Sequence, residues 1–172
     1  KVLETELPEL IEAVEQPVCQ GCGFVLYLDP KVAAGTIPVL GHRIVLLRRA
    51  LEPACGLWVY PCGYVNRGEH LEAAAERETE EEVGLRVDAG ELVGIYSYTD
   101  TPIVVVVYET AALEGALCPG YEAQEVGTFA PAELPWKTLA FPSTRDALVD
   151  WALKYAPECV PPEAVPFSEQ PR

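Results

Sequence analysis

The stretch from residue 63 to residue 85 reads GYVNRGEHLEAAAERETEEEVGL and decides the fold of this chain. Residues 69–83 have the composition of an α-helix, and the glycine that follows them is typical of a helix end. Glu78, Glu81 and Glu82 are spaced i, i+3 and i, i+4, so they share one helix face. Like charges at this spacing repel one another and oppose the negative end of the helix dipole. The stretch therefore predicts a helix with a carboxylate face near its C-terminus.

Two interpretations of this carboxylate face are open. Most glutamate-rich runs are simply solvated acidic helix faces. A hard divalent cation would instead reverse the repulsion, because it prefers oxygen ligands that converge from one side, with waters or phosphates completing its octahedron. The context favours the metal: Gly63 would let a loop turn tightly beneath the helix, and Arg77 could hold the glutamates by bidentate pairing.

The order of the residues in this stretch resembles the signature of the Nudix hydrolases. That signature is a glycine, five residues, a glutamate, seven residues, Arg-Glu, an aliphatic residue, any residue, Glu-Glu, any residue, a glycine and an aliphatic residue. The chain matches it in register at Gly63, Glu69, Arg77, Glu78, Glu81, Glu82, Gly84 and Leu85. Thr79 stands at an aliphatic position of the signature, a change that leaves every expected ligand in place.

The resemblance implies a pyrophosphohydrolase that depends on divalent metal, Mg²⁺ or Mn²⁺. Its expected substrate is a nucleoside diphosphate linked to another group, of the ADP-ribose, FAD or NADH type, which it would cleave into two monophosphates. Glu78, Glu81 and Glu82 are the implied metal ligands, and Glu69 is a further contributor. Arg77 joins them in the implied catalytic set. The resemblance also implies a homodimer.

A general base is expected on a loop well after the helix, as in many members of the family. The segment GYEAQEVGTF offers Glu122 and Glu125. Glu125 is preferred because it lies three residues before Thr128, in a predicted strand, and Glu122 is the reserve. Both could instead be ordinary surface carboxylates, and Glu78 or another glutamate of the helix could be the base.

Two other functions share the same scaffold. A house-cleaning nucleoside triphosphate pyrophosphatase would release pyrophosphate, and a non-catalytic nucleotide-binding module would release nothing. The intact carboxylate set disfavours the binding module. Residues 98–102 read YTDTP where NADH pyrophosphatases carry Ser-Gln-Pro-Trp-Pro-Phe-Pro, so NADH is the least favoured linked diphosphate. The later segment ELPWKTLAFPST is more similar to the group that acts on FAD or ADP-ribose.

A Cys-x-x-Cys turn at Cys19 and Cys22 resembles the second half of a zinc ribbon found ahead of some Nudix domains. Tetrahedral Zn²⁺ needs four ligands, and residues 1–18 contain neither Cys nor His. Zinc is therefore possible, but only half a site is visible. Either the first pair lies in residues missing before Lys1, or the ribbon has decayed to a hairpin, which we favour. Cys62 stands where the family often has a small residue, and we predict a packed core thiol rather than a redox group.

For the fold we expect α/β, a Nudix-fold α/β/α sandwich with a mixed central sheet between the helix at 69–83 and a final helix at 143–155. Ser143 or Thr144 is the expected N-cap of the final helix. The Gly-His pair at 41–42 predicts a hairpin turn. Strand-like runs lie at 32–40, 43–48, 57–65, 91–98, 103–109 and 125–130.

The expected organisation has three parts. Residues 1–31 form an N-terminal helix, at 3–16, and the Cys-x-x-Cys hairpin; residues 32–156 form the Nudix domain; residues 157–172 form an irregular proline-rich tail.

The composition limits the partners that the chain can have. Its 172 residues include 27 acidic and 12 basic side chains, a net charge of −15 that disfavours nucleic-acid binding. An anionic substrate would then require a metal to mediate the contact. No apolar run approaches the ~20 residues of a membrane span, and the N-terminus carries no signal segment. Six cysteines are too sparse for a disulfide scaffold, so we expect a small nucleotide as the partner and the cytoplasm as the location.

Overall fold

The elements of the fold follow one another as the sequence patterns indicate. The computed structural model describes residues 16–164, with only the backbone described for 111–113. The elements within this range are β1 (Lys31–Ile37), β2 (Val39–Leu40), β3 (Arg43–Arg49), β4 (Trp58–Val59), β5 (Cys62–Tyr64), α1 (Leu71–Val83), β6 (Leu85–Ser97), β7 (Ile103–Gly115), β8 (Ala123–Phe129) and α2 (Pro142–Tyr155). Single 3-10 turns lie at Pro131–Glu133, Trp136–Thr138 and Pro157–Cys159. The predicted helix at 3–16 and the end of the tail, 165–172, lie outside the described residues, except for Gln16.

The central sheet is mixed, as expected. Its strand order is β5-β1-β7-β6, and β1 runs parallel to β7 while the other two pairs are antiparallel. Val106 of β7 packs on one face with Ala74 and Ala75 of α1. Its neighbour Val107 packs on the other face with Leu148 of α2. The sheet is therefore covered by a helix on each side, which confirms the α/β/α sandwich.

A second, antiparallel sheet lies beside the first. Strand β3 is its centre and pairs with β2, β4 and β8. Gly41 and His42 connect β2 to β3 with positive φ angles of 56° and 69°, which confirms the predicted hairpin. The buried side chains of this sheet pack against the end of α1 and the start of β6: the cluster contains Val45, Leu47, Val59, Val83, Leu85 and Val87.

The start of α2 differs from the prediction. The helix begins at Pro142 with Phe141 at the N-cap position, and no side chain within residues 16–164 caps it. Ser143 and Thr144, the predicted caps, lie inside the first turn and are buried. The predicted cap is therefore wrong. The helix begins at the proline instead, because its fixed φ suits the first helical position and its missing N–H removes one donor that would need a cap.

The hairpin of β6 and β7 is longer than the two runs predicted from the sequence. Strand β6 already begins at Leu85, and its pairing register shifts between Asp88 and Gly94. At this irregularity Glu76 of α1 accepts the backbone N–H of Ala89 at 2.9 Å. Bulges break the alternation of apolar and polar residues, so periodicity alone could not show the first half of the strand.

The threonine at the aliphatic position of the helix signature has a specific partner. Thr79 is fully buried, and its hydroxyl donates to the backbone oxygen of Ala75 at 2.7 Å. The equally buried hydroxyl of Thr36 in β1 lies 2.7 Å from the Thr79 hydroxyl. A hydrogen bond between two buried hydroxyl groups replaces the apolar contact expected at this position. The departure from the signature therefore does not disturb α1.

None of the helices in the described part of the chain combines the length and the apolar character that a membrane crossing requires.

Candidate active site

Gly63 allows the carboxylate of Glu78 to lie directly on strand β5. A side chain at position 63 would occupy the place of the Glu78 carboxylate, because a Cβ built there collides with all three of its terminal atoms. β5 is held against β1, with Gly63 opposite Ala34. The glycine of the signature is therefore required by the close approach of the helix and not by a turn conformation.

Arg77 is the centre of the carboxylate cluster. Its Nε and Nη2 donate to the two oxygens of Glu69 at 2.8 and 3.0 Å, a bidentate pair. Its Nη1 donates to Glu78 at 2.6 Å and to Glu81 at 3.3 Å. Nη2 also donates to the backbone oxygen of Tyr64 at 3.1 Å. The hydrogen bonds from Arg77 lower the pKa of Glu69 to about 2, so this carboxylate is ionised at neutral pH.

Glu82 is the most buried carboxylate of the cluster, with 5% of its surface exposed. One of its oxygens accepts the backbone N–H of Cys62 at 2.8 Å. Burial, with a smaller effect from the charges of Glu78 and Glu122, raises the pKa of Glu82 to about 8. Burial also raises the pKa of Glu78, although Arg77 opposes that change. Full ionisation of Glu69, Glu78, Glu81 and Glu82 would therefore place four negative charges beside the positive charge of Arg77.

A loop after β7 places Glu122 beside this cluster. The N–H groups of Cys118 and Gly120 donate to the oxygens of Val83 and Glu82, both at 3.0 Å, so the loop is attached to the last turn of α1. A side chain at Gly120 would collide with the backbone of that turn. Glu122 follows on this loop and is close enough for its charge to raise the pKa of Glu82. The sequence signal for this arrangement is the Pro-Gly pair at 119–120, which ends two residues before Glu122.

Glu125, the preferred base from the sequence, lies in a different environment. It is a residue of β8 and pairs with Arg48 of β3 at 3.1 Å. About half of its side chain, 53%, is exposed. The charge of Glu122 is among those that raise the pKa values of Glu78 and Glu82, whereas Glu125 is paired with Arg48.

The chemistry of the cluster fits a divalent cation. Its donors are carboxylate oxygens, the ligands that Mg²⁺ and Mn²⁺ prefer, and its excess negative charge would be relieved by a cation. Within residues 16–164 no group of three His, Cys, Asp or Glu side chains is arranged so that it could hold a metal ion. Arg77 pairs with three of these carboxylates, those of Glu69, Glu78 and Glu81. Glu81 has the longest of these contacts and is 60% exposed, so it is the carboxylate most free to turn.

Cys19 and Cys22 lie far from this cluster in the chain, on a separate exposed turn. The turn is closed by hydrogen bonds from Gly23 to Cys19 at 2.9 Å and from Cys19 to Phe24 at 2.8 Å. Backbone hydrogen bonds from Cys22 and Gly21 lower the pKa of the Cys19 thiol, which favours a thiolate. No third His, Cys, Asp or Glu joins the two cysteines in the part of the chain that the structure describes.

Cys62, the first residue of β5, packs against the core, as predicted. It lies against the cluster of buried side chains that contains Tyr60 and Tyr96. Burial raises the pKa of its thiol well above the ordinary value, and the charges of Glu82 and Glu78 add to that effect. The thiol is therefore neutral, which agrees with a structural residue.

Comparison with known proteins identifies the family. The model of the NUDIX domain matches residues 29–152 of the chain. The chain belongs to the Nudix family. An "ADP-ribose pyrophosphatase" from Methanocaldococcus jannaschii is 34% identical over 114 residues, which are 64% of this chain and 68% of that protein. A "MutT-like protein" from Streptomyces ambofaciens is 32% identical over 101 residues, 59% of this chain and 64% of that protein.

A solved Nudix structure supports the same assignment. The crystal structure of a NUDIX hydrolase from Nitrosomonas europaea has 32% identity, a TM-score of 0.76, and coverage of 82% of this chain and 81% of its own. The family match and these relatives identify a Nudix hydrolase, an enzyme that acts on a phosphoric anhydride bond.

Proposed function

We propose that this Nudix hydrolase cleaves the diphosphate of a nucleoside diphosphate linked to another group, with ADP-ribose as the first candidate and FAD as the second. The observation that carries the proposal is the shared helix face of Glu78, Glu81 and Glu82. In it Glu78 lies on Gly63, and Arg77 pairs with Glu78 and Glu81. The similarity to a protein named as an ADP-ribose pyrophosphatase supports the choice of substrate. The products would be two monophosphates.

Glu78, Glu81 and Glu82 are the proposed ligands of Mg²⁺ or Mn²⁺, with Glu69 as a further contributor. When bound, the cations would neutralise the diphosphate, stabilise the charge that develops in phosphoryl transfer and lower the pKa of an attacking water. Arg77 would keep Glu69 and Glu78 oriented through its bidentate and Nη1 hydrogen bonds.

Glu122 is the proposed general base, in place of Glu125. It is exposed, it lies beside Glu78 and Glu82, and its loop is attached to the end of α1. A water oxygen would form a bond to one phosphorus while its proton passes to the Glu122 carboxylate. The bond between that phosphorus and the bridging oxygen breaks, and the other half of the substrate leaves as a monophosphate.

A nucleoside triphosphate pyrophosphatase is the second candidate, and the similarity to the MutT-like protein is the observation that favours it. A homodimer and a cytoplasmic location are also proposals. At Cys19 and Cys22 we propose a hairpin left by a decayed zinc ribbon, since two cysteines are only half of a zinc site; the alternative is a zinc ion whose other ligands come from outside residues 16–164.

The experiment that tests the function is hydrolysis of ADP-ribose, FAD, NADH and the common nucleoside triphosphates, each with Mg²⁺ and with Mn²⁺. Chromatography separates the products. Two monophosphates from a linked diphosphate support the first candidate, whereas a monophosphate with pyrophosphate supports the second. Activity on neither class in either metal would contradict both.

Two variants test the assignment of the site. Glu81→Gln should remove nearly all turnover, because it takes a ligand from the proposed metal site. Glu80→Gln is the matched control, since Glu80 lies next to it on the same helix, pairs with Arg86 and is 58% exposed. Wild-type turnover in Glu81→Gln would contradict the proposed ligand set.

A further inference from the structure

A small hairpin carries Cys19 and Cys22, two cysteines that the proposed catalysis does not use. Its two arms pair through an antiparallel bridge between Val18 and Val25. The N–H of Gly23 donates to the backbone oxygen of Cys19 at 2.9 Å, and this hydrogen bond closes a single turn that contains Cys22. Both cysteines are exposed. One short turn therefore presents two thiols, three positions apart, to solvent.

The sulfur of Cys19 lies over this turn. A Cβ built at Gly21 would be 4.0 Å from the Cys19 Sγ. The backbone N–H groups of Cys22 and Gly21 donate to that sulfur, and the Cys22 thiol also forms a hydrogen bond with it. These hydrogen bonds lower the pKa of the Cys19 thiol, and the thiolate is the form that attacks a disulfide. The turn thus combines a favoured thiolate with a second thiol within hydrogen-bonding reach of it.

Other cysteines of the described chain have different surroundings. Cys55 and Cys118 are exposed, but the thiol of each donates to a backbone oxygen, at 3.4 and 3.9 Å. Burial raises the pKa of the Cys62 and Cys159 thiols, which disfavours their thiolates. Thiol–disulfide exchange is therefore expected first at Cys19.

We propose that Cys19 and Cys22 are a reversible dithiol, which a low-molecular-weight disulfide of the glutathione type oxidises to an intramolecular disulfide. The Cys19 thiolate forms a bond to one sulfur of the external disulfide, whose other half leaves as a thiolate and takes up a proton. The Cys22 thiol then loses its proton and attacks the Cys19 sulfur, and the second half leaves as a thiol. The protein gives up two electrons and two protons, and the external disulfide becomes two thiols.

The proposal extends the decayed zinc ribbon and does not depend on the proposed hydrolysis. The turn precedes residues 29–152, which the family model matches, so it lies outside the part of the chain that carries the carboxylates. Two thiols that no longer bind a metal are free to exchange. A zinc ion bound by Cys19 and Cys22 would instead occupy both sulfurs, so zinc binding and the disulfide exclude each other.

The test incubates the reduced full chain with mixtures of reduced and oxidised glutathione, with a chelator present to remove zinc. A maleimide then labels the remaining thiols, and mass spectrometry of the peptides locates the label. In the wild type, Cys19 and Cys22 should lose the label together and be recovered as one peptide that lacks two hydrogens. An added dithiol reductant should restore both thiols.

Three variants separate the two steps. Cys22→Ser should accumulate the mixed disulfide between glutathione and Cys19, because the second attack is removed. Cys19→Ser should slow the reaction of Cys22 by about tenfold or more, because the favoured thiolate is lost. Cys55→Ser is the matched control, since Cys55 is an exposed cysteine outside the turn, and it should form the disulfide as the wild type does. Thermal unfolding of each variant establishes that it is folded.

Three results would overturn the proposal. The first is full labelling of Cys19 and Cys22 after incubation with oxidised glutathione. The second is a mixed disulfide in the wild type that does not proceed to the internal one. The third is one zinc ion retained by the purified protein that protects both thiols until the chelator is added, which would assign the turn to a metal site.

Discussion

Replacing Glu82 by Gln should stabilise the metal-free protein at neutral pH. The carboxyl group has a pKa of about 8 when folded and an ordinary value of 4.5. It holds its proton more tightly in the folded state, so the folded state loses stability as the pH rises from 4.5 to 8. At pH 7 the loss reaches about 3 kcal/mol as an upper limit, at 1.36 kcal/mol for each pH unit above 4.5. Gln carries no charge and keeps an oxygen for the N–H of Cys62.

The assay is unfolding by urea in the presence of a chelator, from pH 4 to pH 8.5. Glu82→Gln should match the wild type near pH 4 and exceed it increasingly up to pH 8, with Glu80→Gln as the exposed control that shows no such trend. Added Mg²⁺ should then reverse the order, because the wild type gains free energy from binding the cation. A stability difference that stays constant with pH would refute the assignment of a buried Glu82 with a raised pKa.

Other variants test the buried threonine pair, the base and the close approach at the helix. Thr79→Val should destabilise the protein by about 1–3 kcal/mol, because it leaves the buried Thr36 hydroxyl without its partner. Thr36→Val should cost less, since Thr79 keeps its bond to the helix backbone; urea unfolding measures both, and equal costs would count against the pair. Glu122→Gln should lower kcat by about 10²–10⁴-fold, while Glu125→Gln stays within about threefold of the wild type; the reverse order would assign the base to Glu125. Gly63→Ala should weaken Mg²⁺ binding by about tenfold or more in calorimetry, because it displaces a carboxylate, and an unchanged affinity would contradict that role.

Local sequence patterns predict most helices and strands. The features that they do not predict depend on contacts between residues distant in the chain. The helix ending at Gly84, the hairpin at 41–42 and the doubly buried strand β7 follow from periodicity and turn chemistry. The start of α2 differs from the prediction because two signals for a helix start, Pro142 and the Ser-Thr pair after it, occupy neighbouring positions. Arg48 and Arg49 are alike in the sequence. In the structure Arg48 pairs with Glu125, whereas the Arg49 guanidinium lies 5.1 Å from the centre of the Phe141 ring, a contact that no local pattern predicts.

Spacing along the chain could not distinguish the surroundings of Glu122 and Glu125, the two proposed candidates for the base. The two carboxylates are three positions apart in the chain, yet the one in β8 pairs with Arg48 while the other lies beside the cluster. The difference originates in Gly120, whose N–H satisfies a carbonyl that the end of α1 would otherwise leave unpaired. The same hydrogen bond that completes the helix therefore positions the loop that carries Glu122. A substitution at Gly120 should accordingly lower the stability of α1 and the rate of catalysis together, whereas Glu122→Gln should lower the rate alone.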